Sequence, residues 1–408
     1  MHLFLLLGAV IWHVARTEAA VLQNTKFTPL VHDIIDSLDT FTPNYFKAVA
    51  EVTNGDLVCS APTALMVLSM AVLGAQGKTK QQLQTASAFF QDKALAAIAF
   101  RNYISTLKDY RHAGLKLANK VFVRQDLLPY ERYTTTIKVA FGSSVQAVNF
   151  EDPYEANRTI NEWFSSQTNN HINNVIKPED VDRATDVVFA NTVYFRGIWA
   201  NQFDIRDTSS RFLFSVNPYT KRNVSTMYKY GFFKTGRFED LSATFIEIPY
   251  NKSMSMVEAP RMYIVLPDKV DGLTELEKNV DKLTVERLAS GKILNLYLLL
   301  PKFKIESTIP VDKVVTKMGV TDILSSKAVD LTDITHYPNI KNVKFIHKVV
   351  IEIDEGASKP DPPPYAEMVL SKINVFHVDR PFLGFIASPS SSVIFFSFRY
   401  TGPPEAEA

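Results

Sequence analysis

Four of the five residues from Pro360 to Pro364 are proline, and no other stretch restricts the fold so strongly. Proline fixes φ and offers no N–H, so residues 358–365 can be neither helix interior nor central strand. An exposed, extended, polyproline-like connection is expected there. The segments on either side read as strands. Over 343–354, Val343, Phe345, His347, Val349, Ile351 and Ile353 alternate onto one face. Residues 375–386 and 392–400 also read as strands and would close the fold.

The rest of the chain mixes helix and strand patterns. Residues 30–41 have helical spacing, with Leu30, Ile34, Ile35 and Leu38 on one side. Residues 64–72 are apolar all round, as in a buried helix. Residues 156–172 are amphipathic, with Ile160, Trp163 and Phe164 at helical spacing, and 187–195 is a β-branched and aromatic run suited to a central strand. This order predicts an α+β architecture. Length alone suggests two or three domains, but no linker or internal repeat divides the chain, so one domain over 21–408 is expected.

The first twelve residues form a short apolar run, ended by His13 and Arg16 and followed by the small residues Ala19 and Ala20. A signal peptide over 1–20 is expected; a membrane span needs about 20 apolar residues. The C-terminal Pro403-Pro404-Glu405-Ala406-Glu407-Ala408 carries no retrieval tetrapeptide, so the expectation is a secreted, extracellular protein. Three glycosylation sequons begin at Asn157, Asn223 and Asn251. Cys59 is the only cysteine, so the core alone must hold the fold, and its apolar setting predicts a buried, inert thiol.

With 46% apolar and 21% charged residues the chain can build a large core, and a net charge of +1 points to neither nucleic acid nor an anionic membrane. No nucleophile elbow, phosphate loop, dinucleotide turn or zinc-binding histidine pair occurs. The chain is expected to be a non-enzyme without cofactor or metal, and a monomer whose partner is an extracellular protease or another secreted protein.

Five segments, in order, resemble the serpin family. Ser60 through Leu73-Gly74-Ala75 resembles its buried second helix, and Ile160-Asn161-Glu162-Trp163 with Thr168 and Ile172 a further helix motif. Phe189-Ala190-Asn191-Thr192-Val193-Tyr194-Phe195-Arg196-Gly197-Ile198-Trp199 resembles a central strand ending F-x-G-x-W. Leu300-Pro301-Lys302-Phe303-Lys304-Ile305-Glu306 and Asp379-Arg380-Pro381-Phe382-Leu383 resemble two later segments. The resemblance runs from about Phe27 to Pro403. It implies three β-sheets, eight or nine helices and an exposed reactive-centre loop, here about 356–375. It also implies a mechanism: a protease attacks the loop and forms an acyl-enzyme, and the cut loop enters the large sheet as a new strand, distorting the protease. Ser60, Thr63, Asn191 and His347 match the polar cluster where the strands part. Trp199 matches the tryptophan where insertion begins, although core packing accounts for it equally well. Ala61 replaces the usual proline, with Pro62 one place later, and Ser397 stands where the closing strand usually has glycine. A heparin site finds little support, because Lys93, Arg101, Lys108 and Arg111 are scattered.

By the family's spacing, Gly356 opens the hinge and the reactive bond is Leu370-Ser371, with Phe382 twelve residues past Leu370; one residue is missing between His347 and Gly356. The hinge departs from the family's small-residue pattern. It reads Glu355, Gly356, Ala357, Ser358, Lys359, Pro360, Asp361, Pro362, Pro363, Pro364. An inserted strand would bury Lys359 and Asp361 and leave the carbonyls opposite four prolines without donors, at about 1–3 kcal/mol each. The expectation is a serpin in which suicide inhibition is weak or lost, leaving a binding, carrier or protease-substrate role. The alternative is a working inhibitor of chymotrypsin-like, elastase-like or papain-like proteases.

Overall fold

A computed structural model describes residues 29–88, 92–107, 110, 114–251, 258–337, 340–356 and 374–405. The expected signal peptide, the hinge from Ala357 to Pro364, the bond Leu370-Ser371, and Lys108 and Arg111 lie outside the described residues.

The chain opens with α1 (Pro29–Val52), β1 (Leu57–Cys59) and α2 (Ala61–Gly74). The hydrophobic pattern of α1 stops before Pro43, yet the helix runs through it for two more turns and so carries Tyr45 into the interior. Every residue of α2 is buried. The helix touches β4 (Val187–Phe195) on one side and β14 (Val393–Tyr400) on the other, which is why its sequence has no polar face. The N-terminus of α6 (Pro153–Gln167) is capped by Asp152, whose carboxylate accepts from the backbone N–H groups of Tyr154 and Glu155.

A five-stranded sheet has the order β10 (Phe303–Ile309), β11 (Val343–Ile353), β4, β2 (Leu115–Arg124), β3 (Val145–Val148). A nine-stranded sheet has the order β1, β14, β13 (Phe382–Ser388), β8 (Arg261–Pro267), β7 (Ala243–Pro249), β6 (Thr220–Phe238), β9 (Lys292–Pro301), β12 (Asn374–His377), with β5 (Thr208–Asn217) also on β6. The 19-residue β6 pairs with β5 and β9 along most of its length and with β7 at its end. It thereby links two limbs of the larger sheet, which with the five-stranded sheet make up the expected three.

The alternation predicted for β11 is only half of its environment. Residues on its other face, Ile346, Lys348 and Val350, are also buried, because α6 and the following loop cover the outer face of the sheet through Trp163, Phe164, Val175 and Ile176. Asn161 fastens that loop: its Oδ1 accepts from the N–H groups of Val175 and Ile176, and its Nδ2 donates to Ile176 O. Cys59 is buried at the end of β1 and desolvation raises its thiol pKa, as expected of an inert cysteine.

Candidate functional site

Two adjacent inner strands of the five-stranded sheet, β4 and β11, run parallel through nine paired positions, Val187↔Val343 to Phe195↔Ile351. Each is antiparallel to its outer neighbour. A chain that left β11 at its C-terminal end and turned back between them would run antiparallel to both, and antiparallel pairing is slightly the more stable per residue. The sheet has two parallel pairings, this one and the shorter β2 with β3, and this is the one bounded by β11, so a chain turning back from the end of β11 would improve the pairing on both sides here.

The exit from β11 is held by side chains from the loop after β4, from the start of β5 and from the single residue between β9 and β10. Gly356 sits at φ +83, a left-handed conformation open to glycine, and its N–H donates to Asp354 Oδ1 (2.9 Å). Trp199 is buried, stacks on Tyr250 at 4.4 Å and donates from Nε1 to Asp354 O (2.6 Å). Glu355 is buried, and its carboxylate accepts from Lys302 Nζ and Thr208 Oγ1, both at 2.8 Å. Burial alone would raise its pKa, but Lys302, a backbone N–H and Thr208 together hold it below the usual carboxylate range. The stability this carboxylate adds is present above its ordinary pKa and is lost as pH falls through the folded value.

Contacts on the outer face cross the seam. Tyr194 on β4 donates to Glu352 Oε2 on β11 (3.1 Å), and Arg196, just past β4, pairs with Asp354 at 2.7 Å and lies 3.8 Å from Glu352. On the helix side, Ile309, His347, Asn191 and Asn119 share one row across β10, β11, β4 and β2. His347 Nδ1 lies 3.0 Å from Tyr45 Oη, and Nε2 lies 3.0 Å from Thr63 Oγ1. Thr63 spends its one proton on Ser60 O, so Nε2 carries hydrogen and donates to Thr63 while Nδ1 accepts from Tyr45. This neutral tautomer satisfies both nitrogens, and burial lowers the pKa to about 3. Asn191 Nδ2 donates to Asn119 Oδ1 (2.6 Å) and Ala118 O (3.3 Å), while its own buried Oδ1 has no partner among the described residues.

The structure therefore brings Thr63 and His347 into direct contact, with Ser60 joining through its carbonyl. Asn191 lies beside His347 in the row but bonds the other way, to β2. Tyr45, Asn119, Tyr194, Arg196, Glu352 and Lys302 were not singled out as site residues. Tyr194, Arg196 and Lys302 fall inside the quoted motifs, whereas Tyr45 carries no local signal, because only the packing of α1 beneath β11 gives it a partner. Among the expected glycosylation sites, Asn223 and Asn251 are exposed, and Asn157 is half-buried, its Nδ2 donating to Ile176 O (2.7 Å). Among the described residues no His, Cys, Asp and Glu cluster could hold a metal, and no helix is long and apolar enough to cross a membrane.

Comparison with known proteins gives a consistent result. The family model described as "Serpin (serine protease inhibitor)" matches residues 36–403. Iris of Ixodes ricinus is 31% identical over 86% of this chain and 93% of its own length. Antichymotrypsin-2 of Bombyx mori is 32% identical over 85% of this chain and 93% of its own. The crystal structure of Serpin48 from the insect Tenebrio molitor superposes with a TM-score of 0.78 at 24% identity, covering 91% of this chain and 99% of that one.

Proposed function

The chain belongs to the serpin family, and from that premise we propose a secreted protein that offers proteases a bait bond at Leu370-Ser371 but seldom completes the insertion that traps them. The family's partners are proteases, and its members act on them as inhibitors rather than as enzymes. In this reading residues 1–20 are a signal peptide and 21–408 one non-enzymatic, monomeric serpin domain with its reactive-centre loop at about 356–375. Asn223 and Asn251, being exposed, are better glycan acceptors than Asn157, whose amide is engaged.

One observation carries the reading: the seam has polar backbone on both sides, and the hinge that would fill it contains four prolines. A strand between β4 and β11 needs an N–H for each ladder position. Four missing donors leave carbonyls of β4 and β11 unpaired, at roughly 4–12 kcal/mol in total. Lys359 and Asp361 would enter on the core-facing side and lose water besides. Even about 1.4 kcal/mol of this in the barrier slows insertion tenfold, so deacylation frees the protease. Binding, transport or service as a protease substrate then remains.

A second reading has specific support. Leu370 suits a chymotrypsin-like site, and one relative bears the name antichymotrypsin. A working inhibitor would form a covalent complex with chymotrypsin, elastase or a papain-type protease. The test is a denaturing gel of each mixture, followed by melting of the loop-cleaved protein. Free cleaved chain and an unchanged melting temperature are expected; a covalent band, or a large rise in melting temperature, overturns the substrate reading.

A further inference from the structure

The loop after α6 does not seal the outer face of β11 completely. Beside the first residues of that strand it leaves a cavity of about 450 Å³, inside the range of about 300–1,000 Å³ that small-molecule sites occupy. The loop lines it through Val175 and Ile176, and β11 through Val343 and Ile346; all four are buried. Leu324, from the turn Asp322–Leu324, adds to the apolar lining. Three charged groups join it. Lys344 comes from β11, Asp312 from the first turn of the helix Val311–Lys317, and Asp180 from the turn Pro178–Asp180. One oxygen of Asp180 accepts from the Lys177 N–H (2.8 Å). Neither the Asp312 carboxylate nor the Lys344 ammonium has a hydrogen bond or ion pair among the described residues. Other charges of this sheet are matched: Lys348, on the same face of β11, is bonded to Thr308 and paired with Glu306, and Lys304 lies by Glu306 and Glu352. An unmatched cation and an unmatched anion therefore meet at one apolar hollow.

We propose that this cavity binds a small zwitterion with an apolar body, the chemistry of an apolar amino acid or dipeptide. The body rests on Val175, Ile176, Val343 and Ile346, the ammonium faces Asp312 and Asp180, and the carboxylate faces Lys344. Removal of apolar surface from water supplies the affinity, and the charged ends set the orientation. A purely cationic ligand would leave Lys344 unmatched, and a purely anionic one would meet two carboxylates; a ligand of both signs answers all three groups. Because the ligand touches loop and strand together, it fastens the loop where Asn161 already holds the Val175 and Ile176 N–H groups. The site gives the binding and carrier roles a place and a ligand class. It needs neither cleavage at Leu370-Ser371 nor entry of the hinge into the seam.

The test is isothermal titration of the full chain with tryptophan and with phenylalanyl-leucine, then with the N-acetyl and the C-terminal amide form of whichever binds more tightly. The titration is repeated on the single variants Asp312→Asn and Lys344→Gln, with unchanged melting as the check of fold. Both groups lack a partner, so neither variant breaks a contact of the native chain. The expected result is saturable one-to-one binding with Kd below about 1 mM, weakened threefold or more by each variant and by each cap. Should a variant fail to fold, the cap that removes the matching ligand charge, acetyl for Asp312 and amide for Lys344, is read in its place. No saturable binding below that concentration, or a Kd that moves less than threefold for any of these changes, overturns the site. The bait reading is untouched by that failure, because it is decided by cleavage and not by this titration.

Discussion

His347 turns the interior of this protein into a proton-sensitive place. Folded, the imidazole is neutral down to about pH 3; unfolded, it would titrate near its ordinary 6.5. The native state therefore binds fewer protons, and the contribution is fully present above about pH 6.5 and is lost as pH falls towards 3. The slope is about 1.4 kcal/mol per pH unit for this one group. Urea unfolding between pH 7 and pH 4 should show stability falling with acidification, and His347→Gln should flatten that profile by one proton; parallel profiles would refute the assignment. The residue itself was legible in the sequence, because a histidine on the apolar face of a strand is an exception that invites a partner. Its partner Tyr45 was not, since it lies after Pro43, where the helical pattern had already stopped. Asn191 was legible as a polar group in a buried strand, but its bond to Asn119 depends on the pairing of β4 with β2, which no local pattern encodes.

At the scale of elements, the doubly buried strands were more readable than the helix ends, whereas the run 375–386 divides into β12 and β13, which pair with different neighbours. The run 187–195 matches β4 residue for residue, because a strand buried on both faces needs an unbroken apolar sequence. The pattern over 156–172 overran α6, which stops at Gln167. Thr168 ends the helix, its Oγ1 donating to Phe164 O and accepting from the Ile172 N–H, so Ile172 keeps a helical spacing outside the helix. The loop beyond it lies against the outer face of β11, where Asn161 holds it. Asn161→Ala removes three hydrogen bonds and leaves two N–H groups without their acceptor. A loss of about 2–4 kcal/mol in urea unfolding is expected, with faster proteolytic nicking over residues 168–186 as the local readout. The bonds across the seam are weaker and more selective. Tyr194→Phe takes away only the Glu352 contact, so about 1 kcal/mol should be lost, while uptake of an added strand peptide into the sheet should quicken. An unchanged uptake rate would show that Tyr194 does not help keep β4 and β11 together.

For the whole molecule, the decisive quantity is how the loop and the seam fit each other. Replacing Lys359, Pro360, Asp361, Pro362, Pro363 and Pro364 together by alanine restores a donor at every ladder position and removes both ions. The cleaved form of that variant should melt well above its uncleaved form, whereas the wild-type pair should melt alike; a variant that gains nothing on cleavage would mean that something other than the hinge blocks insertion. A further consequence follows from the pairing of the second element of the chain with the last. Leu57, Val58 and Cys59 of β1 align with Arg399, Phe398 and Ser397 of β14, and Arg399 donates to Gly55 O across a separation of 344 positions. At roughly 5–20 residues per second, the ribosome delivers Arg399 about 20–70 s after Gly55. During that interval β1 has no sheet to join and the two-sided environment of α2 is incomplete. Folding of this chain is thus bound to wait until β14 has been made, and a chain cut short before Ser397 would reach the quality-control machinery with β1 still searching for a neighbour.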